Sequence, residues 1–203
     1  MNRKFEEKVL VLATHNLGKI EEFKHLFGDV RFDITDIGQY SWVPPEESGQ
    51  SFWENSLIKA REATKLTGLV SLADDSGLCV DILKGAPGIY SADWAIMGDG
   101  SRDFDTAIAK LVKEIERIDS SKPFTACFVC SLILYWPDGH FEKFEGNIEG
   151  EIVWPGKGEN GHGYDPVFLP YGYKETFGQM DRWDKNKISH RGLAMQNLLA
   201  ACF

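Results

Sequence analysis

Asp74 and Asp75 stand side by side at the end of an apolar run, in LVSLADDSGLCVDIL over residues 69–83. Ionised carboxylates among hydrophobic residues are costly unless a cation or hydrogen bonds compensate them, so the pair demands positive charge from elsewhere in the chain. A turn in which Asp74 bonds nearby backbone amides accounts for one aspartate comfortably and for two less well. A second acidic pair, Glu46 and Glu47, lies in the polar loop WVPPEESGQ. Alone it is a solvated acidic turn. Combined with Asp74 and Asp75 it can supply the oxygen ligands of a magnesium ion, which keeps several waters and bridges to phosphates. Lys59, in the segment after that loop, can face the same site.

THNLGK, residues 14–19, follows an apolar run and opens a helical pattern. A strand, a short polar turn and a helix start present unpaired backbone N–H groups and a positive dipole end, which favour an anion. Lys19 adds a point charge. The pattern G-x-x-x-x-G-K-[ST] is absent, so this is not a Walker A loop, and taken alone the hexapeptide is an ordinary helix cap with an exposed lysine. In KNKISHRGLA, the triplet Ser189-His190-Arg191 at a helix start can bond a heterocycle edge or a phosphate, and equally reads as a cap with surface-basic residues. No Ser or Cys nucleophile lies near His190 in sequence, so a catalytic triad is unsupported. HGYDP, taken alone, is a glycine-rich structural loop.

These residues need elements to hold them. Residues 9–13 form the continuous apolar run of a strand buried on both faces, and Ile20, Phe23 and Leu26/Phe27 carry helical spacing from Leu17 to Phe27. A strand is expected near residues 30–36. Ser51 and Glu54 fit the S-x-x-E capping box, so a second helix begins there. VSLADD reads as a buried strand, and LCVDIL as its continuation beyond a turn at Ser76-Gly77. A loop rich in Gly and Pro then leads to a helix over roughly 104–118. FTACFVCSLILYW and HFEKFEGNIEGEIV read as long strands joined at Pro137-Asp138-Gly139, a hairpin turn. GENGHGYDPVFLP is a loop, and a final helix starts at about Ser189. The alternation of strands and helices gives an α/β class, with the long hairpin central or forming a second lobe.

A chain of 203 residues suits one domain with room for two lobes, and its hydrophobic fraction of 43% is that of an ordinary globular protein. No run approaches a membrane span, and the N-terminus carries acids where a signal peptide needs its apolar stretch, so the cytoplasm is expected. The net charge of −9 argues against nonspecific nucleic-acid binding, which depends on Lys and Arg neutralising phosphates. Of the four cysteines, Cys127 and Cys130 form a C-x-x-C. That spacing on a strand points the two thiols to opposite faces, so core cysteines are expected rather than a redox or zinc pair.

Taken in order, LATHNLGK, EESGQSFWENSLIKA, ADDSGLCVDILKGAPGIYSA, GHGYDPVF and KNKISHRGLA give the chain a resemblance to the inosine triphosphatase-like family of pyrophosphatases, which act on non-standard purine nucleoside triphosphates. It covers nearly the whole chain and is weakest over residues 95–150. The resemblance implies an elongated mixed β-sheet with flanking helices and two lobes with a nucleotide cleft between them. Residues 1–203 would form a single nucleoside triphosphate pyrophosphatase domain, usually paired as a homodimer. The implied reaction is attack of water on the α-phosphorus of ITP, dITP or XTP, releasing monophosphate and pyrophosphate with Mg2+ as cofactor. Rival readings are a nucleotide-binding regulator on the same scaffold and a generic magnesium-dependent phosphatase.

By the same resemblance, Thr14, His15, Asn16, Leu17, Gly18 and Lys19 hold the triphosphate. Glu46 or Glu47 shares the magnesium with Asp75, which also activates water. Lys59 reaches the phosphates and Ser76 contacts the nucleotide. The turn His162, Gly163, Tyr164 and Asp165, with Lys185, His190 and Arg191, encloses base and sugar. Two positions depart from the family pattern. His162 stands where relatives commonly carry a Phe suited to stacking on the purine, and imidazole can also stack. His15 stands where a small residue is common, and can crowd or assist the phosphate turn.

Overall fold

A computed structural model of the chain describes residues 2–40, 43–119, 121 and 123–203. In chain order its elements are β1 (Val9–Leu12), α1 (Leu17–Phe27), β2 (Asp33–Asp36), α2 (Phe52–Thr67), β3 (Val70–Val80), α3 (Phe104–Ile118), β4 (Phe124–Tyr135), β5 (Phe141–Ile152), β6 (Phe168–Pro170), α4 (Arg182–Ile188) and α5 (His190–Cys202), with short 3-10 turns between several of them. The strands form one mixed sheet in the order β2-β1-β3-β4-β5-β6. β1 runs parallel to both β2 and β3, and β5 runs antiparallel to β6. The α/β class and flanking helices expected from the sequence are present. Among the described residues no helix is long and apolar enough to cross a membrane.

Two compact units divide the chain. One holds residues up to Asp75, Cys130–Gly146 and Arg191–Phe203; the other holds Ser76–Val129 and Asn147–His190. In the first unit the strand period of two sorts β1 between two cores. Leu10 and Leu12 pack with Ile20, Phe23 and Phe27 of α1 and with Ala194, Met195 and Leu198 of α5. Val11 and Ala13 pack with Ala60 and Ala63 of α2. Helices therefore cover both faces of β1, which is why its residues read as an unbroken apolar run. In the second unit, Ala107, Ile108, Leu111 and Ile115 of α3 form an i, i+1, i+4, i+8 stripe buried against Leu78 and Val80 of β3 and Phe124, Ala126 and Phe128 of β4.

Three sequence expectations are corrected. The turn expected at Ser76-Gly77 does not occur, and β3 continues through both residues to Val80. The strand persists because alternation persists: Leu78 and Val80 are both buried in the second core, so a turn would expose them. The segment before Ser189 is itself helical. Asp181 caps α4 by accepting from the amides of Trp183 and Asp184, and Ser189 is extended, separating α4 from α5. Seven residues without an apolar stripe carry no periodicity to detect. Cys130 is a core residue, as expected, but Cys127 is only half-buried.

Candidate active site

Asp74 and Asp75 are consecutive on an extended strand, so their side chains leave opposite faces of the sheet. Asp75 turns toward α2. Its Oδ1 lies 3.2 Å from the Lys59 ammonium, and its Oδ2 accepts from the Asn55 side-chain amide at 3.3 Å. Asp74 turns toward α1 and α5. Its Oδ2 is 2.8 Å from Lys19 Nζ and 3.2 Å from Arg191 Nη2. Asp75 therefore has one cation, from α2, and Asp74 has two, from α1 and α5.

The electrostatics of the two differ accordingly. Burial raises the Asp75 pKa above the ordinary carboxylate value, and Lys59 only partly counters it, while Glu47 adds to the rise. Burial acts on Asp74 in the same direction, but Lys19 and Arg191 together outweigh it and hold this carboxyl far below the ordinary range. For Lys59, burial favours the neutral amine, yet Asp75, Glu47 and Asp74 prevail and keep it charged.

Local sequence explains how α2 presents its groups. Ser51 caps the helix, accepting from the Glu54 amide, while Glu54 reaches back to accept from the Gln50 amide and the Ser51 hydroxyl. One turn into the helix, Asn55 and Lys59 are four residues apart and share a face. Asn55 also accepts from the Gly49 amide at 2.9 Å, which ties the acidic loop to the helix. A Cβ at Gly49 would stand 2.6 Å from Asn55 Oδ1 and 2.7 Å from Glu54 Cβ, so only glycine permits that approach. Glu47 then reaches the Lys59 ammonium at 3.1 Å. Glu46 is exposed, its carbonyl accepting from Ser48 N–H.

At the start of α1, Asn16 is the cap and its side chain accepts from the Lys19 amide at 3.2 Å; Thr14 Oγ1 accepts from the Asn16 amide. His15 and Leu17 are exposed, Leu17 at 75% despite its apolar side chain, and Gly18 is half-buried.

A second group lies in the other unit. Asp165 is buried, accepts from the His162 amide at 2.6 Å and pairs with Lys185. Gly161 adopts φ +80°, and a Cβ there would collide with Asp165 Oδ2 at 2.1 Å. Gly163 also takes a positive φ. The Tyr164 hydroxyl donates to the Ser91 carbonyl at 3.1 Å, and its ring meets Phe104 edge-on, so this side chain is structural. His162 is exposed, and Ser76 half-buried. His190 is buried and stacked on Phe128, with centroids 4.7 Å apart and planes 10° from parallel.

The structure thus gathers Lys19, Glu47, Lys59, Asp74 and Asp75 in one unit, and His162, Asp165 and Lys185 in the other. Arg191, which the resemblance sets against base and sugar, is buried with its guanidinium on Glu22 (2.8 Å) and Asp74. Asn55 is the participant that sequence reasoning missed; its one signal is the spacing of four from Lys59. Among the described residues, no group of three or more His, Cys, Asp or Glu side chains forms a ready-made metal cage.

Comparison with known proteins places this geometry in context. The model of the Ham1 family matches residues 10–201. A dITP/XTP pyrophosphatase of Ruegeria pomeroyi is 46% identical over 203 residues, covering 100% of this chain and 99% of that protein. One from Rhizobium meliloti is 45% identical over 210 residues, covering 98% of each. The solved structure of a HAM1 protein from Coxiella burnetii superposes with a TM-score of 0.87 at 36% identity, covering 96% of this chain and 98% of that one. With a family model spanning nearly the whole chain and relatives matched end to end, this chain belongs to the Ham1 family.

Proposed function

We propose that the chain hydrolyses non-standard purine nucleoside triphosphates (dITP, XTP and ITP) to the monophosphate and pyrophosphate, clearing them from the nucleotide pool. The observation that carries this reading is the Lys59 ammonium held between Glu47 and the buried Asp75. Relatives 45–46% identical over the full length are dITP/XTP pyrophosphatases, which supports it. In this reading residues 1–203 act as one catalytic domain, as a homodimer, in the cytoplasm.

Two carboxylates converging on one cation are the donor set a hard, oxygen-seeking ion uses, with remaining positions left to water and phosphate. Glu47 and Asp75, with Glu46 beside them, would hold Mg2+. The chemistry the metal supplies when bound is charge withdrawal from the phosphate oxygens. Asp75 accepts the proton of the attacking water. Lys59 and Lys19 stabilise the charge that develops on the phosphate oxygens. Asn55 fixes the Asp75 carboxylate in the orientation that leaves a lone pair for the water. Thr14 to Lys19 cradle the phosphates with helix-start amides. His162 to Asp165, Lys185 and His190 take the base and sugar, with Ser76 on the nucleotide.

The test is a nucleotide panel incubated with the protein and magnesium, with both products identified. Monophosphate plus pyrophosphate is expected. Orthophosphate released from the terminal position would make it a phosphatase of another kind. Tight binding without turnover would make it a nucleotide-responsive regulator.

A further inference from the structure

Cys79 on β3 and Cys127 on β4 lie on adjacent strands, and neither is used by the chemistry above. Their thiols are close enough for each to shift the titration of the other. Two residues further along, Thr125 donates a hydrogen bond to Asp81. Two steps forward from Cys79 thus meet two steps back from Cys127, as in an antiparallel pair of strands with the two cysteines facing each other. Opposed residues of an antiparallel pair have Cα atoms about 4.5–5.5 Å apart. A disulfide needs about 4.4–6.8 Å, a range that facing residues of an antiparallel pair meet.

The surroundings favour reaction at this pair and at no other. Leu78, Val80, Ala126 and Phe128, the flanking residues, turn inward to the second core. That alternation leaves Cys79 and Cys127 on the more open face, half-buried, whereas Cys130 and Cys202 are fully buried in the first core. Burial raises the thiols of Cys130 and Cys202, the latter to about 11. The interaction with Cys79 brings Cys127 down to about 7, against burial and the carboxylates of Asp81 and Glu149, while the same interaction raises Cys79. A thiolate beside a protonated thiol is the arrangement of an attacking and a resolving cysteine.

We propose that Cys79 and Cys127 form an oxidation site, in which a peroxide converts the two thiols to an intramolecular cross-strand disulfide. The Cys127 sulfur attacks one peroxide oxygen, the O–O bond breaks, and the departing hydroxide takes a proton to leave as water. The resulting sulfenic acid is then attacked by the Cys79 sulfur, the S–O bond breaks, and a second water departs. Two thiols lose two electrons and two protons in all, and one hydrogen peroxide becomes two waters. In a reducing compartment thiol exchange reverses the change, so the bond reports oxidant rather than serving as a permanent staple. The inference does not depend on which nucleotide the chain hydrolyses.

The experiment treats the full-length protein with hydrogen peroxide and measures intact mass, free thiols and the peptide map without reduction. Expected is a loss of two hydrogen atoms in mass, a fall from four titratable thiols to two, and a linked peptide pair containing Cys79 and Cys127. Dithiothreitol should restore all of them. In Cys79→Ser, the disulfide is lost and Cys127 is instead captured by a sulfenic-acid trap. A wild-type protein that keeps four thiols, or that links other cysteines or two chains, overturns the proposal, and that readout requires no variant to fold.

Discussion

At Asp75, burial raises the carboxyl's affinity for a proton while Lys59, 3.2 Å away, supplies the opposing charge. Replacing it with Asn keeps the shape and removes the proposed base, so turnover should fall by about 10²–10⁴-fold, with further loss if the proposed metal site is weakened. Its neighbour predicts the reverse. Asp74→Asn leaves Lys19 and Arg191 without their shared carboxylate, and breaking such a buried group costs about 3–5 kcal/mol. The pH dependence separates the pair as well. Because Asp74 is held below its unfolded pKa, its stabilisation is complete above about pH 4 and is lost as pH falls toward the folded value. Asp75 has the opposite slope, since its raised pKa makes the ionised form the disfavoured one in the metal-free fold. Thermal melts across pH without metal should show Asp74→Asn destabilised at neutrality with its acid limb flattened, and Asp75→Asn without the decline in stability that ionising the buried carboxyl brings as pH rises. Asn55→Ala tests the orienting hydrogen bond. A bond to a charged group contributes about 1.5–3 kcal/mol and Asn55 also holds the Gly49 amide, so kcat should drop about 10–100-fold and the melting temperature should fall as well. An unchanged kcat would remove Asn55 from the site.

Helix α2 and the loop before it act as one element. The Ser51–Glu54 capping box sets where the helix begins, and the Gly49–Asn55 bond fixes how closely the acidic loop lies against it. Gly49→Ala places a methyl carbon inside contact distance of Asn55 and Glu54, and the cheapest relief is to move the loop outward. That shift carries Glu47 away from Lys59 and Asp75. A misplacement of about 1 Å at a catalytic constellation can cost about 10²-fold, so activity should fall sharply while the helix survives. Raising magnesium should recover part of the loss if Glu47 is a ligand. Steady-state rates titrated with magnesium, alongside circular dichroism, decide this; a magnesium response identical to wild type would leave Glu47 outside the metal site.

For the whole molecule, the predicted quantity is selectivity among bases. Hypoxanthine and xanthine carry an oxygen at position 6 where adenine carries an amino group, so a pocket of fixed donors meets a donor in ATP. Arg191 is committed to Glu22 and Asp74, and Lys185 and the His162 amide to Asp165, so the amides of Gly163 and Tyr164 are the proposed donors. A site built around a buried hydrogen bond can reject the wrong partner by up to about 10⁴–10⁵. ITP and XTP should therefore be hydrolysed far faster than ATP in direct comparison of kcat/KM. Constants for ITP and ATP within tenfold of each other would indicate a general nucleotide pyrophosphatase.

Much of this molecule follows from short-range pattern. Period-two burial in β1, helical spacing in α1 and α3 and the cap at Ser51 depend on residues a few positions apart, and they mark those elements in the sequence alone. The parity of β3 likewise settles that Asp74 and Asp75 point to opposite faces, once it is known that the strand does not break at Gly77. Which cation meets each carboxylate is a different kind of fact. Asp74 finds Arg191 across 117 positions and Asp75 finds Lys59 across 16, and no local propensity encodes either distance. The same holds for Cys127, whose nearest cysteine in sequence is Cys130 but whose neighbouring strand carries Cys79. Chain neighbours on a strand diverge, and only the pairing of strands and the packing of helices decides what each one meets.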